Sequence, residues 1–344
     1  MKIAIGSKIM SGPWGGGNNF VKNLSKYLKE KDCSVVYDLK DKNIDIILLT
    51  DPRAKSQSSS FNHIDIYNYI NKIYSKAIII HRINECDERK FTSGVNSQLV
   101  FANNFSDYTV FISTWLSQLF THLKIFKHFK IICNGANKKI FFNKNKPELN
   151  EKKIKLVTHH WSNHINKGFD TYKMIDERLN NNLEFKKKVE FSIIGNMPKN
   201  FKFNNIKHIE PLSGLELADA IRDHDIYITG SKFEPGGNHQ NEAINCGLPI
   251  LYQNSGCMKE YCDGFGEEYN KKNLFEKFEN LIQKYSYYQK KTHNYHLNSE
   301  FTCSNYYHLF KDLMNRKKEI LQERKWPNIP YLKILNHKIE RLLF

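Results

Sequence analysis

The chain has 344 residues, with 52 Lys or Arg against 36 Asp or Glu, for a formal charge of +16. With 40% hydrophobic and 26% charged residues it is globular rather than disordered, and its length fits two domains of roughly 150 residues each. No apolar run reaches the ~18 residues of a membrane span, and the scattered cysteines, odd in number and without a CxxC pair, exclude a disulfide framework and a zinc finger.

The first strand is predicted at 2–6. Its start, MKIAIGSKIM, lacks the long apolar run of a signal peptide. The reading is a cytoplasmic protein, at most resting on an anionic membrane to which its positive surface is attracted. A glycine-rich segment follows, Gly12-Pro-Trp-Gly15-Gly16-Gly17-Asn18, and then a helical pattern through Phe20, Leu24, Tyr27 and Leu28. The segment has neither the Gly-Lys-Ser/Thr of a P-loop nor the GxGxxG spacing of a dinucleotide site. Short apolar runs recur at 34–37, 45–50, 77–80, 108–112 and 130–133, between helical patterns. Strands alternating with helices predict a parallel sheet covered on both faces. His81 ends the run at 77–80, and Arg82, Glu85 and Asp87 follow it.

The polar stretch 143–153, with Pro147, reads as a linker. The alternation then restarts, with strands predicted at 155–159, 189–194, 206–209, 225–229 and 249–252 and helices at about 168–180, 215–223 and 238–246. The fold class is therefore α/β with two successive Rossmann-like domains, 1–145 and 146–315. Residues 316–344 read as C-terminal helices packing back on the first domain. Leu332, Ile334, Leu335, Ile339, Leu342 and Leu343 give the last helix an apolar stripe that docks on a domain or on a membrane.

The stretch from Ser231 to Pro249 carries the most chemistry. Glu234 lies in the loop at a strand's C-terminal end, and Gly236 and Gly237 let the backbone come close to a ligand. The helix that starts near Asn238 offers unpaired N–H groups to a phosphate. Glu242, about one turn in, is placed to accept hydrogen bonds from the two hydroxyls of a ribose. Gly247 and Pro249 end the helix and begin the next strand.

Glu234-x7-Glu242, with Asp225-Ile-Tyr-Ile-Thr-Gly-Ser231 before it and Glu242-Ala-x-x-Cys-Gly-x-Pro249 after it, resembles the E-x7-E signature of glycosyltransferase family 4. The resemblance implies the GT-B fold, two Rossmann-like domains facing across a cleft, and a retaining sugar transfer without a metal. It implies that Glu234 contacts the donor sugar, that Glu242 holds the nucleotide ribose, and that amides near Gly236, Gly237 and Asn238 meet the sugar or diphosphate. Lys167-Gly168 matches the family's Lys-Gly, whose lysine binds the diphosphate. Ser162 stands where the family has an Arg, which leaves Asn163 or His164 as substitute donors. The loop of Gly15, Gly16 and Gly17 resembles the one placed against the donor phosphates from the first domain, and His81 resembles a histidine near the donor sugar and acceptor. Asn134-Gly135-Ala136-Asn137 resembles the turn that closes the first domain. Gly195 and Leu212 are expected on either side of the nucleobase.

The expected partners are a nucleotide-sugar donor and a glycan or glycolipid acceptor. Asp223-His224-Asp225 has the form of a metal-binding D-x-D, but lies where a helix ends and a strand begins, so no metal or other cofactor is expected. Basic clusters such as Lys186–Lys188 lack any nucleic-acid-binding pattern, so no nucleic-acid partner is expected. A sugar-nucleotide epimerase of the same fold and a non-catalytic glycan-binding relative remain the alternatives.

Overall fold

The computed structural model describes residues 1–12, 15–53, 57–144, 149, 153–199 and 201–325. The proposed apolar stripe of the last helix, and Pro13 and Trp14 of the glycine-rich loop, lie outside the described residues.

The first sheet comprises β1 (Lys2–Ile5), β2 (Ser34–Val36), β3 (Ile46–Leu49), β4 (Ile78–Ile83), β5 (Tyr108–Phe111) and β6 (Phe129–Ile131), in the order β2-β1-β3-β4-β5-β6. Helices α1 (Gly16–Lys29), α2 (His63–Lys72), α3 (Val95–Asn103) and α4 (Thr114–Gln118) connect them. The second sheet comprises β7 (Ile154–His160), β8 (Val189–Gly195), β9 (Ile206–Ile209), β10 (Ile226–Thr229), β11 (Ile250–Gln253) and β12 (Gly266–Tyr269), in the order β12-β11-β10-β7-β8-β9. Its helices are α5 (Phe169–Asn181), α6 (Leu183–Lys188), α7 (Gly214–Arg222), α8 (His239–Asn245), α9 (Met258–Cys262), α10 (Leu274–Gln283) and α11 (Tyr285–Thr292).

Every strand pairing within the two sheets is parallel. Central strands such as Ile46–Leu49 and Ile226–Thr229 are buried throughout, as continuous apolar runs covered on both faces must be. Each sheet reverses its winding direction once, between β1 and β3 in the first and between β7 and β10 in the second. Ligand crevices of open α/β sheets form at such switch points, beyond the carboxyl ends of the strands.

The two sets of carboxyl ends face each other. Ser113, just past β5, donates from Oγ to the Pro235 carbonyl at 2.7 Å, and the Tyr261 hydroxyl donates to the Ile112 carbonyl at 2.6 Å. Asn134, past β6, donates from Nδ2 to the Gly236 carbonyl at 2.6 Å and from its backbone N–H to the Tyr261 hydroxyl at 2.9 Å.

The chain returns to the first domain earlier than the 316 boundary read from sequence. Helix α12 (Ser299–Asn315), assigned there to the second domain, buries Cys303, Tyr306, Leu309, Phe310 and Leu313 against Phe20, Val21, Leu24 and Leu28 of α1. Each such large apolar side chain contributes about 1.5–3 kcal/mol by leaving water, so this face fixes the crossover. Helix α13 (Lys317–Glu323) follows, and Arg324 Nη2 pairs with Asp107 at 2.6 Å.

Candidate active site

The turn after β7 and the loop after β10 meet through two glycines. A Cβ on Gly168 would lie 2.5 Å from the Gly230 Cα, and Gly168 has a φ of +95°, a conformation that suits only glycine. The contact brings the single 3₁₀ turn Ile165–Lys167 alongside the loop after β10, where the Lys232 N–H donates to the Asn166 carbonyl at 2.7 Å. Lys167 Nζ then reaches Glu234 Oε2 at 2.5 Å, with the lysine 8% and the glutamate 2% exposed.

A turn at 254–257 supports Glu234 from behind. The Cys257 N–H donates to the Glu234 carbonyl at 2.8 Å, and Gly256, at a φ of +65°, has its Cα side filled by the Glu234 backbone. Burial works against a charged Glu234, but Lys167 and then Arg89 outweigh it and hold the carboxyl well below its usual range. Burial pulls the Lys167 ammonium down from its ordinary value, and Glu234 opposes that pull.

Glu242 projects from α8 into the same region, 7% exposed, and its Oε2 accepts from His159 Nε2 at 2.7 Å. His159 sits next to the end of β7 and was not singled out from sequence. Asn238 Nδ2 would lie 3.1 Å from a Cβ on Gly16, so the glycine-rich loop of the first domain touches the start of α8. Around Gly15 and Gly17 an added Cβ would meet open space.

The structure thus pairs Lys167 with Glu234 and Glu242 with His159, and sets Asn238 against Gly16 of the glycine-rich loop. Gly236 and Gly237 are packed closely on the side where a Cβ would stand. A Cβ on Gly236 would lie 2.6 Å from Ile112 Cδ1 of the first domain, and one on Gly237 would lie 2.7 Å from His239 Nδ1. Their missing side chains make room for Ile112 and His239.

Ser162 Oγ accepts the His164 N–H at 3.2 Å, while Asn163 is exposed. Gly195 closes β8 at a φ of +127°, packed against the His160 carbonyl, and its own carbonyl is 2.7 Å from His208 Nε2. Leu212 packs at the edge of the core formed by α7, α8 and β11.

His81 is a correction. Strand β4 runs on to Ile83, so His81 lies within it, fully buried, with Nδ1 3.0 Å from Asn103 Oδ1 of α3. Thr109 Oγ1 donates to the same oxygen at 2.9 Å. Burial lowers the His81 pKa to about 4, keeping a neutral ring in the layer beneath α3 and not in the cleft. Its neighbour Arg82 faces the opposite way, stacked 4.0 Å from the Phe20 ring centre and donating to Asn134 Oδ1 at 2.8 Å.

Asp223-His224-Asp225 lies at the opposite end of β10 from Glu234, where Asp225 accepts the Lys155 N–H at 2.8 Å. Among the described residues no group of three or more His, Cys, Asp or Glu is placed to hold a metal ion, and no helix is long and apolar enough to cross a membrane. A cavity of about 410 Å³ lies away from Lys167, Glu234 and Glu242, between the 103–109 segment and α13. The glutamates and Lys167 close instead on their own partners.

Solved structures share this architecture. Anabaena HepE in complex with UDP is 12% identical, with a TM-score of 0.65 over 91% of this chain and 100% of that one. Sucrose-phosphate synthase from Thermosynechococcus elongatus is 11% identical, with a TM-score of 0.63 over 91% and 99%. A glycosyltransferase from Rickettsia africae is 12% identical, with a TM-score of 0.61 over 91% and 97%. No protein-family profile matches the sequence, nor does any curated protein. Identities this low establish the fold, which is GT-B: two Rossmann-like domains with their strand ends opposed.

Proposed function

We propose that the chain is a glycosyltransferase that moves a sugar from a nucleotide-diphosphate sugar to an acceptor hydroxyl. The observation that carries this reading is the buried Lys167–Glu234 pair at the switch point of the second sheet, with Glu242 one helix further on. That position, beyond the carboxyl ends of the strands at a switch point, is where open α/β sheets bind nucleotides. Similar structures have been solved with UDP and UDP-glucose, which supports a sugar nucleotide as donor.

In this reading Glu242 accepts from the ribose hydroxyls and Glu234 from the donor sugar. The bond between the anomeric carbon and the phosphate oxygen breaks, and its electron pair stays on that oxygen. The acceptor oxygen forms the new bond and its proton leaves to solvent. Lys167 stabilises the negative charge that grows on the departing nucleotide, an electrostatic contribution that is large in a dry site. The family resemblance supports retention at the anomeric carbon and a metal-independent reaction. The acceptor is a glycan or a lipid-linked glycan, and the +16 charge supports work beside an anionic membrane.

The test is a thermal-shift and calorimetric screen against UDP-, GDP-, ADP- and CDP-sugars, followed by product analysis with and without chelator. Selective stabilisation by one donor is expected, since a ligand that binds only the folded state raises its stability by mass action. An isomerised donor formed without any acceptor would identify an epimerase instead. Activity abolished by a chelator would remove the metal-free mechanism.

A further inference from the structure

The segment between β4 and α3 leaves the first domain and seats on the second. Asn166 Nδ2 donates to the carbonyls of Arg89 at 3.0 Å and Glu88 at 3.4 Å. Two residues further on, the Phe91 ring packs 6.3 Å from that of Phe233 and 5.8 Å from that of His164, both on the second domain. Phe91 and Phe233 hold positive φ values of +52° and +50°. Bulky residues adopt that conformation only where their surroundings impose it, and such strain gathers at functional sites.

Between these anchors Arg89 points at the buried glutamate. Its Nη1 pairs with Glu85 at 3.0 Å, and its Nε lies 3.7 Å from Glu234 Oε1. That Nε is buried and has no hydrogen-bond partner among the described residues. Arg89 and Lys167 stand against Glu85 and Glu234, and Lys90 adds a third cation 3.9 Å from Glu85, so the cluster carries an excess of positive charge. A bound diphosphate needs a cation from this cluster, because Lys167 is already engaged by Glu234 and Ser162 is neutral.

We propose that Arg89 is a phosphate-binding residue of the donor site, supplied by the first domain to complete a site built mainly on the second. It turns from Glu234 to the diphosphate and holds the leaving nucleotide together with Lys167. The inference rests on the proposed function and adds the residue that neutralises the leaving group. A planar guanidinium offers two parallel donors to phosphate oxygens, which a lysine cannot. Because Arg89 reaches the site only when its segment is docked on Asn166 and Phe233, neutralisation of the leaving group is coupled to approach of the two domains.

The experiment compares wild type, Arg89→Ala and Arg89→Lys in calorimetric titrations with UDP, GDP, ADP, CDP and dTDP, and with the matching nucleosides. Arg89→Ala is expected to weaken the best diphosphate by about tenfold to a hundredfold, as expected for losing hydrogen bonds to a charged group. Its affinity for the matching nucleoside stays within about twofold of wild type. Arg89→Lys restores part of the loss, and Arg89→Gln replaces the alanine variant if that protein does not fold. Diphosphate binding unchanged in Arg89→Ala overturns the inference alone. So does a parallel loss of diphosphate and nucleoside, the mark of a residue that only props the site. Wild-type protein that binds none of the five diphosphates overturns the proposed function and this inference with it.

Discussion

Gly168 and Gly230 touch backbone to backbone, each filling the space where the other's Cβ would be. Lys167 and Glu234 lie on opposite sides of this contact, so the shortest ion pair of the site depends on two residues that carry no side chain. The chemistry is placed by packing of the chain, one level below the charged groups themselves.

Gly168→Ala is therefore expected to cost more than a positive φ alone. Strain at such a backbone costs about 1–3 kcal/mol, and forcing atoms into a filled space costs about 1–3 kcal/mol more. Gly264 is the control, with a φ of +82° but nothing within 4 Å of an added Cβ. Urea unfolding should show Gly168→Ala destabilised clearly more than Gly264→Ala. Nucleotide binding should be lost in the first variant and kept in the second.

Removing one partner of the ion pair tests how Glu234 is held. Lys167→Met leaves a buried carboxylate with Arg89 as its nearest cation, 3.7 Å away. Breaking a buried pair this way typically costs about 3–5 kcal/mol, and Arg89 places the expected loss at the lower end. Glu234→Gln added to Lys167→Met should recover part of that stability without recovering sugar transfer. A double variant as unstable as the sum of the two single changes would show that the pair is not energetically coupled.

Much of this site can be read along the chain because its parts are close in sequence. The strand–loop–helix from β10 to α8 carries Glu234, Asn238 and Glu242 within one local pattern, and alternating apolar runs are enough to predict two parallel sheets. What could not be read was which first-domain groups close on that pattern. Arg89 and Phe91 lie in a segment without periodicity, and nothing local says that they reach Glu234 and Phe233. That Ile112 packs where a Cβ of Gly236 would stand could not be read either, because a loop glycine has the same signature whatever lies against it. His81 was misread because β4 runs on to Ile83, three residues past the predicted end, and its side chain is committed to Asn103. His159 and Glu242 pair across two elements, and only the tertiary fold brings them together.

Buried neutral histidines make the fold sensitive to acid. Burial lowers His160 to about 3 and His81 to about 4, and holds His239 well below its usual value. Unfolded, each titrates near 6.5, so below about pH 6.5 the unfolded chain binds protons that the native state refuses. Stability must fall as pH drops through that window, by up to about 1.4 kcal/mol per pH unit for each histidine. Glu234, whose pKa is depressed, adds a loss of the same sign below the ordinary glutamate range. His160 is the variant to test, because its buried ring packs against Phe169 and Tyr172. His160→Phe should flatten the decline in urea midpoint between pH 7 and pH 5, roughly as one histidine's share predicts. An unchanged slope would mean that the ring is protonated in the folded state.

The His159–Glu242 pair gives the ribose assignment its sharpest test. One carboxylate oxygen of Glu242 is held by His159 at 2.7 Å, which fixes the side chain's direction whether or not a ligand is present. If the carboxylate also accepts from ribose hydroxyls, the protein must prefer a ribonucleotide to its 2′-deoxy counterpart. A site built to hydrogen-bond a hydroxyl rejects an analogue lacking it, because the buried acceptor is left unpaired. Glu242→Gln keeps an acceptor and most of the shape but loses the charge, so the preference should shrink by about tenfold while the diphosphate contacts remain. His159→Phe frees the carboxylate from its holder. It should weaken ribonucleotide binding through disorder of Glu242. Calorimetric titrations of the three proteins with UDP and 2′-deoxy-UDP, or with the pair for whichever base binds best, decide the matter. If the ribose preference is the same in Glu242→Gln as in wild type, Glu242 serves His159 and the helix alone, and the ribose is held elsewhere.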